Sequence, residues 1–157
     1  MRATSIKRKV GAENRLKRGK FANRATPSYQ RGMLVKRTKK RAWQAISRFV
    51  RNRDKTCRTC PYGLAEQCGH YIHNGDKENK NLGGNALWYD IRNLNGQCAG
   101  CNKYKSGAPR EYAVYLEGVH GHGILQELRG LHNTPKKWTL EEIIGVAEHY
   151  ESLTNNV

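Results

Sequence analysis

The residues that decide the fold read Cys57-Arg58-Thr59-Cys60 and, after 37 intervening residues, Cys98-Ala99-Gly100-Cys101. Two residues separate the cysteines of each pair, so that one tight turn can offer two thiolates to a metal ion. Two such pairs supply the four ligands of a tetrahedral zinc site and leave no open position for water. The sequence therefore predicts a structural zinc ion that joins two turns of the chain.

Two nearby histidines allow a different ligand set, which the spacing disfavours. A short finger made of Cys57, Cys60, His70 and His73 has spacers that are too short for that motif, and it leaves the second cysteine pair unexplained. Cys68 is expected to be a buried, inert thiol, because a complete ligand set exists without it. The charged N-terminal sequence shows no signal peptide or apolar membrane span, so we expect an intracellular protein, in which cysteine pairs favour metal over disulfides.

The positive charge is concentrated near the N-terminus. The chain of 157 residues has a net charge of +16, and residues 1–41 hold 15 lysines and arginines against one acid, Glu13. Residues 42–157 hold 14 basic and 12 acidic residues. Such a basic segment is typical of nucleic-acid binding. A membrane partner is not expected, because no amphipathic helix with large apolar anchors accompanies the charges.

This contrast predicts a tail and a single folded domain. Residues 1–40 contain few large apolar side chains and are expected to be a disordered nucleic-acid-binding tail that orders partly on DNA. Residues 41–157 are expected to form one α+β domain, with a zinc-stapled core over about 55–108 and C-terminal helices over about 109–153.

Apolar spacing and turn residues predict the main elements. A helix is expected over about 40–54, where apolar residues recur at helical spacing. Short strands are expected around Tyr71-Ile72 and at Leu87-Trp88-Tyr89, and a helix is expected to begin near Cys101. Further helices are expected from Pro109, from Ile124, and after a capping box formed by Thr139 and Glu142.

One histidine lies between the two zinc turns, with asparagines near the second turn. His70 precedes Asn93, and Asn102 follows the last cysteine directly. In these residues the chain resembles the HNH nucleases in their Asn-ended variant, and it looks closest to the phage recombination nucleases of the NinG (Rap) family. The stretches that carry this resemblance are Phe49-Val50-Arg51-Asn52-Arg53-Asp54, Cys57-Arg58-Thr59-Cys60, Gly69-His70-Tyr71, Arg92-Asn93, Gln97-Cys98-Ala99-Gly100-Cys101-Asn102, Lys105-Ser106-Gly107 and Trp138-Thr139-Leu140-Glu141-Glu142.

The resemblance implies a ββα-metal fold and hydrolysis of DNA to 5′-phosphate and 3′-hydroxyl ends. Phosphodiester cleavage needs a base for water and a cation for the developing charge. A neutral imidazole is the best base near pH 7, so His70 is assigned that role. Asn93 is assigned to orient the His70 loop, and Asn102 to offer its amide oxygen to a catalytic Mg²⁺ or Mn²⁺. The predicted DNA-binding residues are Arg51, Arg53, Lys103, Lys105 and Arg110.

The sequence departs from the family pattern in one place. Many HNH nucleases carry an acidic metal ligand immediately before the catalytic histidine, and here that position is Gly69. His70 itself, Asp90 and His73 remain candidates for the second ligand of the catalytic metal. If His70 binds metal, His73 becomes the candidate base. Asn95 is expected to be a turn residue, and surface or packing roles are expected for His120, His122, His132 and His149.

The function that these features predict is a metal-dependent DNA endonuclease. By resemblance, its substrates would be branched recombination intermediates of phage DNA, its location the host cytoplasm, and its assembly a homodimer. A non-catalytic, zinc-scaffolded DNA- or RNA-binding protein is the main alternative. A sequence-specific HNH nuclease of the homing or restriction type would need a recognition module that the sequence does not show, and a ribosome-associated zinc protein is suggested by the basic tail alone.

Overall fold

The computed structural model describes residues 26–73 and 85–155, so the first 25 residues of the predicted tail lie outside the described residues. The described chain is a mixture of helices and one small sheet, which confirms the α+β class. A 3₁₀ turn precedes the second strand and a π-helical turn follows it. The elements are α1 Pro27–Asp54, β1 Gln67–His70, the 3₁₀ turn Ile91–Asn93, β2 Leu94–Gln97, the π-helical turn Gly100–Tyr104, α2 Pro109–His120, α3 Ile124–Asn133 and α4 Leu140–Asn155.

The sequence predicted that the first helix begins near residue 40. In the structure helix α1 begins at Pro27, 13 residues earlier. The hydroxyl of Thr26 accepts a hydrogen bond from the backbone N–H of Tyr29 at 3.3 Å. A proline at the first helical position needs no N–H partner there. The lysines and arginines of this segment are good helix formers, which is why the helix reaches into it although it has few large apolar side chains.

The chain divides into two compact units, residues 1–39 and residues 40–157. In the described part of the first unit, Thr38 is the one buried residue, and its hydroxyl donates to the carbonyl of Leu34 at 3.0 Å. The second unit contains the cysteine pairs, the sheet and the C-terminal helices. It is therefore the unit that positions the candidate site.

The sheet is an antiparallel hairpin of two short strands. Gln67 pairs with Gln97, and His70 pairs with Leu94. The predicted strand positions were wrong: Tyr71 and Ile72 follow β1 in a bend, and Leu87-Trp88-Tyr89 forms a turn before β2. The hairpin thus places the end of β1 against the start of β2.

The apolar run at residues 87–89 reflects burial in a turn. Leu87 packs with α2 and α3, whereas Tyr89 packs with α1 and α4. A short apolar run does not distinguish a strand from any other buried segment. The first cluster contains Ala42, Ile46, Val50, Cys68, Tyr89, Leu94, Ile143 and Ala147. The second cluster contains Leu87, Tyr112, Leu116, Ile124 and Leu128.

The predicted C-terminal helices are confirmed. Helix α2 begins at Pro109, and Gly121 and Gly123, with φ of 84° and 101°, separate it from α3. The capping box before α4 is present, because the N–H of Glu142 donates to Thr139 Oγ1 at 3.1 Å and the N–H of Thr139 donates to Glu142 Oε2 at 2.8 Å. Within residues 26–73 and 85–155, no helix has the length and apolar character needed to cross a membrane.

Candidate functional site

The four predicted zinc ligands lie together. The Sγ atoms of Cys57, Cys60, Cys98 and Cys101 are all within 4.8 Å of one another, and those of Cys60 and Cys98 are 3.8 Å apart. Zinc–sulfur bonds of about 2.3 Å in a tetrahedron place sulfurs about 3.8 Å apart. This donor set therefore fits a zinc ion, and because all four positions are protein thiolates, the ion would be structural.

Backbone contacts shape the two turns around the sulfurs. The N–H of Cys57 donates to the carbonyl of Gly63 at 2.8 Å, and the N–H of Cys101 lies 3.4 Å from the Sγ of Cys98. A Cβ at Gly63 would lie 2.5 Å from the Cβ of Cys98, so that position has no room for a side chain. Burial raises the pKa of Cys57, but hydrogen bonds from Thr59 and from the backbone of Cys98 outweigh it and lower that pKa to about 6. These hydrogen bonds favour the thiolate form of Cys57, the form that binds metal.

Cys68 lies apart from this group. It is part of β1 and is buried in the cluster formed by α1 and α4, which confirms a buried thiol. Burial raises its pKa to about 12. A thiol that keeps its proton is a poor nucleophile. Its chemical inertness is therefore expected.

His70 ends β1 beside a second histidine. Its ring stacks on Trp43 of α1 at a centroid distance of 4.9 Å, and the exposed ring of His73 lies 6.0 Å away on centroids. Burial, followed by the charge of His73, lowers the pKa of His70 to about 4. The imidazole of His70 is therefore neutral near pH 7, and the lowered pKa also makes it a weaker base than an ordinary histidine.

Asn93 holds the backbone that follows His70. Its Oδ1 accepts from the N–H of Ile72 at 2.8 Å, and its Nδ2 donates to the carbonyl of Ile72 at 3.0 Å. Asn93 is fully buried, and its own carbonyl accepts from the N–H of Tyr71 at 3.0 Å. The hydroxyl of Tyr112 donates to the carbonyl of Gly69 at 3.0 Å. The segment from residue 69 to residue 72 is thus fixed on both sides of His70.

Gly69 faces the buried side chain of Gln97. A Cβ at Gly69 would overlap the amide of Gln97, whose Nε2 is anchored to Thr59 Oγ1 at 3.0 Å and to the carbonyl of Gly107 at 2.8 Å. Gln97 is fully buried and cannot turn into solvent. The space that an acidic residue would need at position 69 is therefore occupied by an amide.

Two polar residues differ from their predicted surroundings. Asn95 is a buried residue of β2 and not a turn residue. Its Oδ1 accepts from Arg53 at 2.9 Å. Asp90 caps the 3₁₀ turn and accepts from Arg92 Nη2 at 2.8 Å. That ion pair makes Asp90 a poor candidate for a metal ligand. Asn102 lies in the π-helical turn and donates from Nδ2 to Gln67 Oε1 at 2.6 Å.

The chain matches the family model described as "Bacteriophage Lambda NinG protein" over residues 2–157. The chain belongs to the NinG family. It is 32% identical over 116 residues to protein ninG of Escherichia phage 933W, an alignment that covers 71% of this chain and 54% of that protein. Protein ninG of Escherichia phage lambda and of Salmonella phage P22 are each 31% identical over 71% of this chain and 53% of their own length. The chain thus spans about half the length of these relatives, and no solved structure matches it.

The basic residues assigned to DNA occupy two kinds of position in this NinG chain. Lys103, Lys105 and Arg110 are exposed near the second zinc turn and the start of α2. Arg51 Nη1 donates to Ser47 Oγ at 2.6 Å. Arg53 is exposed only in part, and its guanidinium donates to Asp54, to the carbonyl of Leu94 and to Asn95. This network holds the Arg53 guanidinium against the hairpin, and the buried carboxylate of the neighbouring Asp54 also accepts from Arg58 at 3.4 Å and from the N–H of Gly96 at 2.6 Å. The DNA contact of Arg53 stays a prediction.

Sequence reasoning missed a cleft beside His73. The cleft has a volume of about 400 Å³, and its walls are Tyr71, Ile72, His73, Pro109, Arg129, His132 and Asn133. On α3, Arg129, His132 and Asn133 are three and four residues apart, which places them on one face of the helix. This polar face of α3 was the one feature of the sequence that could have indicated the cleft. Its meaning depended on the packing of α3 against the bend after β1, which the sequence does not show.

Proposed function

We propose that this NinG family protein is a metal-dependent DNA endonuclease with an HNH-type centre. The observation that carries the proposal is the pair of hydrogen bonds between the buried amide of Asn93, which accepts one and donates the other, and the backbone of Ile72. These bonds fix the segment that follows His70, as the orienting asparagine of such a centre must. The hairpin and the turn after it would correspond to the ββα-metal unit, with the zinc ion as its base.

In this proposal His70 is the general base. Its neutral imidazole takes a proton from a water molecule that attacks the phosphodiester. His73 is the second candidate for this role, because it is exposed and its ring lies 6.0 Å from that of His70. Stacking on Trp43 limits the movement of the His70 ring, so its orientation is set before the substrate arrives.

The ligand atoms proposed for a catalytic metal are an amide oxygen and imidazole nitrogens. Among the described residues, the four cysteines are the one group of three or more His, Cys, Asp or Glu side chains that could hold a metal. Asn102 offers the amide oxygen assigned to a catalytic Mg²⁺ or Mn²⁺, and such a cation would neutralise charge on the phosphate. This lack of a carboxylate cluster within residues 26–73 and 85–155 is what supports the alternative of a zinc-scaffolded nucleic-acid-binding protein without catalysis.

A cleavage assay tests the proposal. Zinc-loaded wild type, His70→Ala, His73→Ala and the control His120→Ala are incubated with linear duplex, single-stranded, D-loop and four-way-junction DNA, with Mg²⁺, with Mn²⁺ or without either. We expect metal-dependent cutting of the branched DNA, a loss of at least about 100-fold in His70→Ala because a general base is removed, and normal activity in the control. His120 is an exposed residue at the end of α2.

The pattern of losses separates the alternatives. Loss in His73→Ala with retention in His70→Ala would move the base to His73. DNA binding without cutting by wild type under every metal condition would refute the nuclease and support the binding protein.

A further inference from the structure

The cleft beside His73 has the charge of an anion site. Arg129 is an exposed residue of its wall, and the wall contains no aspartate or glutamate among the residues that the structure describes. The acid nearest to Arg129 in sequence is Glu127, whose Oε2 accepts from Arg92 at 2.9 Å. No ion pair joins Arg129 to an acid within residues 26–73 and 85–155. No acid of the described residues therefore neutralises its charge.

The same contacts that fix His70 also build this cleft. Ile72, which Asn93 holds through both backbone groups, is a wall residue. Tyr71 is another, and its ring packs edge-on against Tyr112 at a centroid distance of 5.5 Å. The ring of His73, also in the wall, lies 6.0 Å from that of His70. A ligand in the cleft would thus lie beside the proposed catalytic base.

We propose that this cleft binds a backbone phosphate of the DNA strand that passes His70, with Arg129 as the ionic contact. The proposal rests on the proposed nuclease function. Each strand carries one phosphate per about 3.4 Å of helix axis, so a strand held at His70 brings neighbouring phosphates to the wall formed by His73. A planar guanidinium matches a phosphate through two parallel hydrogen bonds. Asn133, on the same face of α3, adds an amide donor.

Binding measurements on the full, zinc-loaded chain test this contact. Affinity for single-stranded and four-way-junction DNA is measured by fluorescence anisotropy over a range of KCl concentrations for wild type, Arg129→Ala, Arg129→Lys and the control Lys137→Ala. Lys137 is an exposed lysine that does not line the cleft. We expect Arg129→Ala to reduce the slope of log K against log salt by about 0.7–0.9, which corresponds to one phosphate. Arg129→Lys should keep the slope, and Lys137→Ala should match wild type.

A neutral phosphate locates the contact along the strand. Single methylphosphonates are introduced one position at a time around the branch point. Wild type should lose affinity at one position that leaves Arg129→Ala unaffected, because the variant no longer binds the phosphate at that position. If the two proteins respond alike at every position, Arg129 does not contact the backbone, and the proposal fails.

Further outcomes distinguish the phosphate contact in the cleft from the proposed nuclease function and from binding of a free anion. Normal cleavage by wild type with an unchanged salt slope in Arg129→Ala would overturn the cleft contact and leave the nuclease standing. A reduced slope in a wild-type protein that never cuts would support the cleft as a DNA contact and overturn the nuclease. The last measurement is the effect of inorganic phosphate on the Tm. Phosphate could raise the Tm of wild type but not of Arg129→Ala while the salt dependence of DNA binding is the same for both proteins. In that case the cleft binds a free anion and not DNA, and the proposal fails.

Discussion

At the scale of single residues, Gly69 and Gln97 explain why an acid is absent before His70. The buried amide of Gln97 fills the space next to Gly69 and is tied to Thr59 and to the backbone of Gly107. That amide also links β2 to the first zinc turn and to the segment before α2. The glycine is thus required by packing within the hairpin, and its presence is not in itself a sign of lost catalysis.

This packing predicts the effect of adding one methyl group. Gly69→Ala should lower the free energy of unfolding by about 1–3 kcal/mol, because the new Cβ overlaps an anchored side chain. In a protein that also carries Gln97→Ala, the same change should lower the free energy of unfolding by much less. Urea unfolding followed by tryptophan fluorescence, with zinc at a fixed excess, measures both effects.

The control for this pair of variants is Gly118→Ala on α2, where an added Cβ has no neighbour within 4 Å. Alanine is the better helix former by about 1 kcal/mol, so this variant should be slightly more stable than wild type. Equal costs of Gly69→Ala with and without Gln97 would show that the two residues do not compete for space.

At the scale of elements, the two cysteine turns hold together segments that have little apolar core of their own. The cluster around the sulfurs contains Cys57, Cys101 and Ala108 as its buried residues. Apolar burial is therefore a small contribution here, and a zinc ion held by the four cysteines would supply most of the stability of this region.

Removing one ligand should therefore unfold the zinc core. Cys98→Ser is expected to lose its zinc and the native circular dichroism, since structural zinc contributes on the order of 10 kcal/mol in small zinc folds. Cys68→Ala is the matched control, because Cys68 is buried in a different cluster and should leave one zinc per chain. Zinc released by a mercurial reagent is measured with a chromogenic chelator. A folded, zinc-containing Cys98→Ser protein would contradict the four-cysteine site.

Local signals and distant packing explain which elements the sequence predicted. The cysteine pairs, Pro109 and the Thr139 capping box act within a few residues, and each lies where it was expected. The strands were misplaced because the apolar residues at 87–89 are divided between two clusters formed by distant helices. For the same reason the contribution of Arg129 to the cleft could not be predicted from its own neighbours.

At the scale of the whole molecule, most of the excess positive charge and the proposed catalytic groups lie in different parts of the sequence. The basic segment lies near the N-terminus, well before the hairpin in the sequence. The proposed catalytic groups all lie within residues 40–157. Phosphate contacts give affinity and strong salt dependence but carry no information on DNA shape. We therefore expect the basic segment to set the strength of DNA binding, and the folded unit to select the structure that is bound.

Removal of residues 1–25 separates these contributions, because it leaves α1 whole from Pro27. These residues contain nine lysines and arginines and one acid. The truncated protein should bind linear and branched DNA more weakly by a similar factor, and its salt slope should fall by about 0.9 for each phosphate that the segment neutralises in the full chain. The ratio of the two affinities should stay near that of the full chain. Anisotropy titrations on both DNAs over a range of KCl concentrations measure slope and ratio together. If the salt slope is unchanged, the segment does not contact DNA. If the truncated protein loses a preference for branched DNA, the segment itself recognises the shape of the DNA.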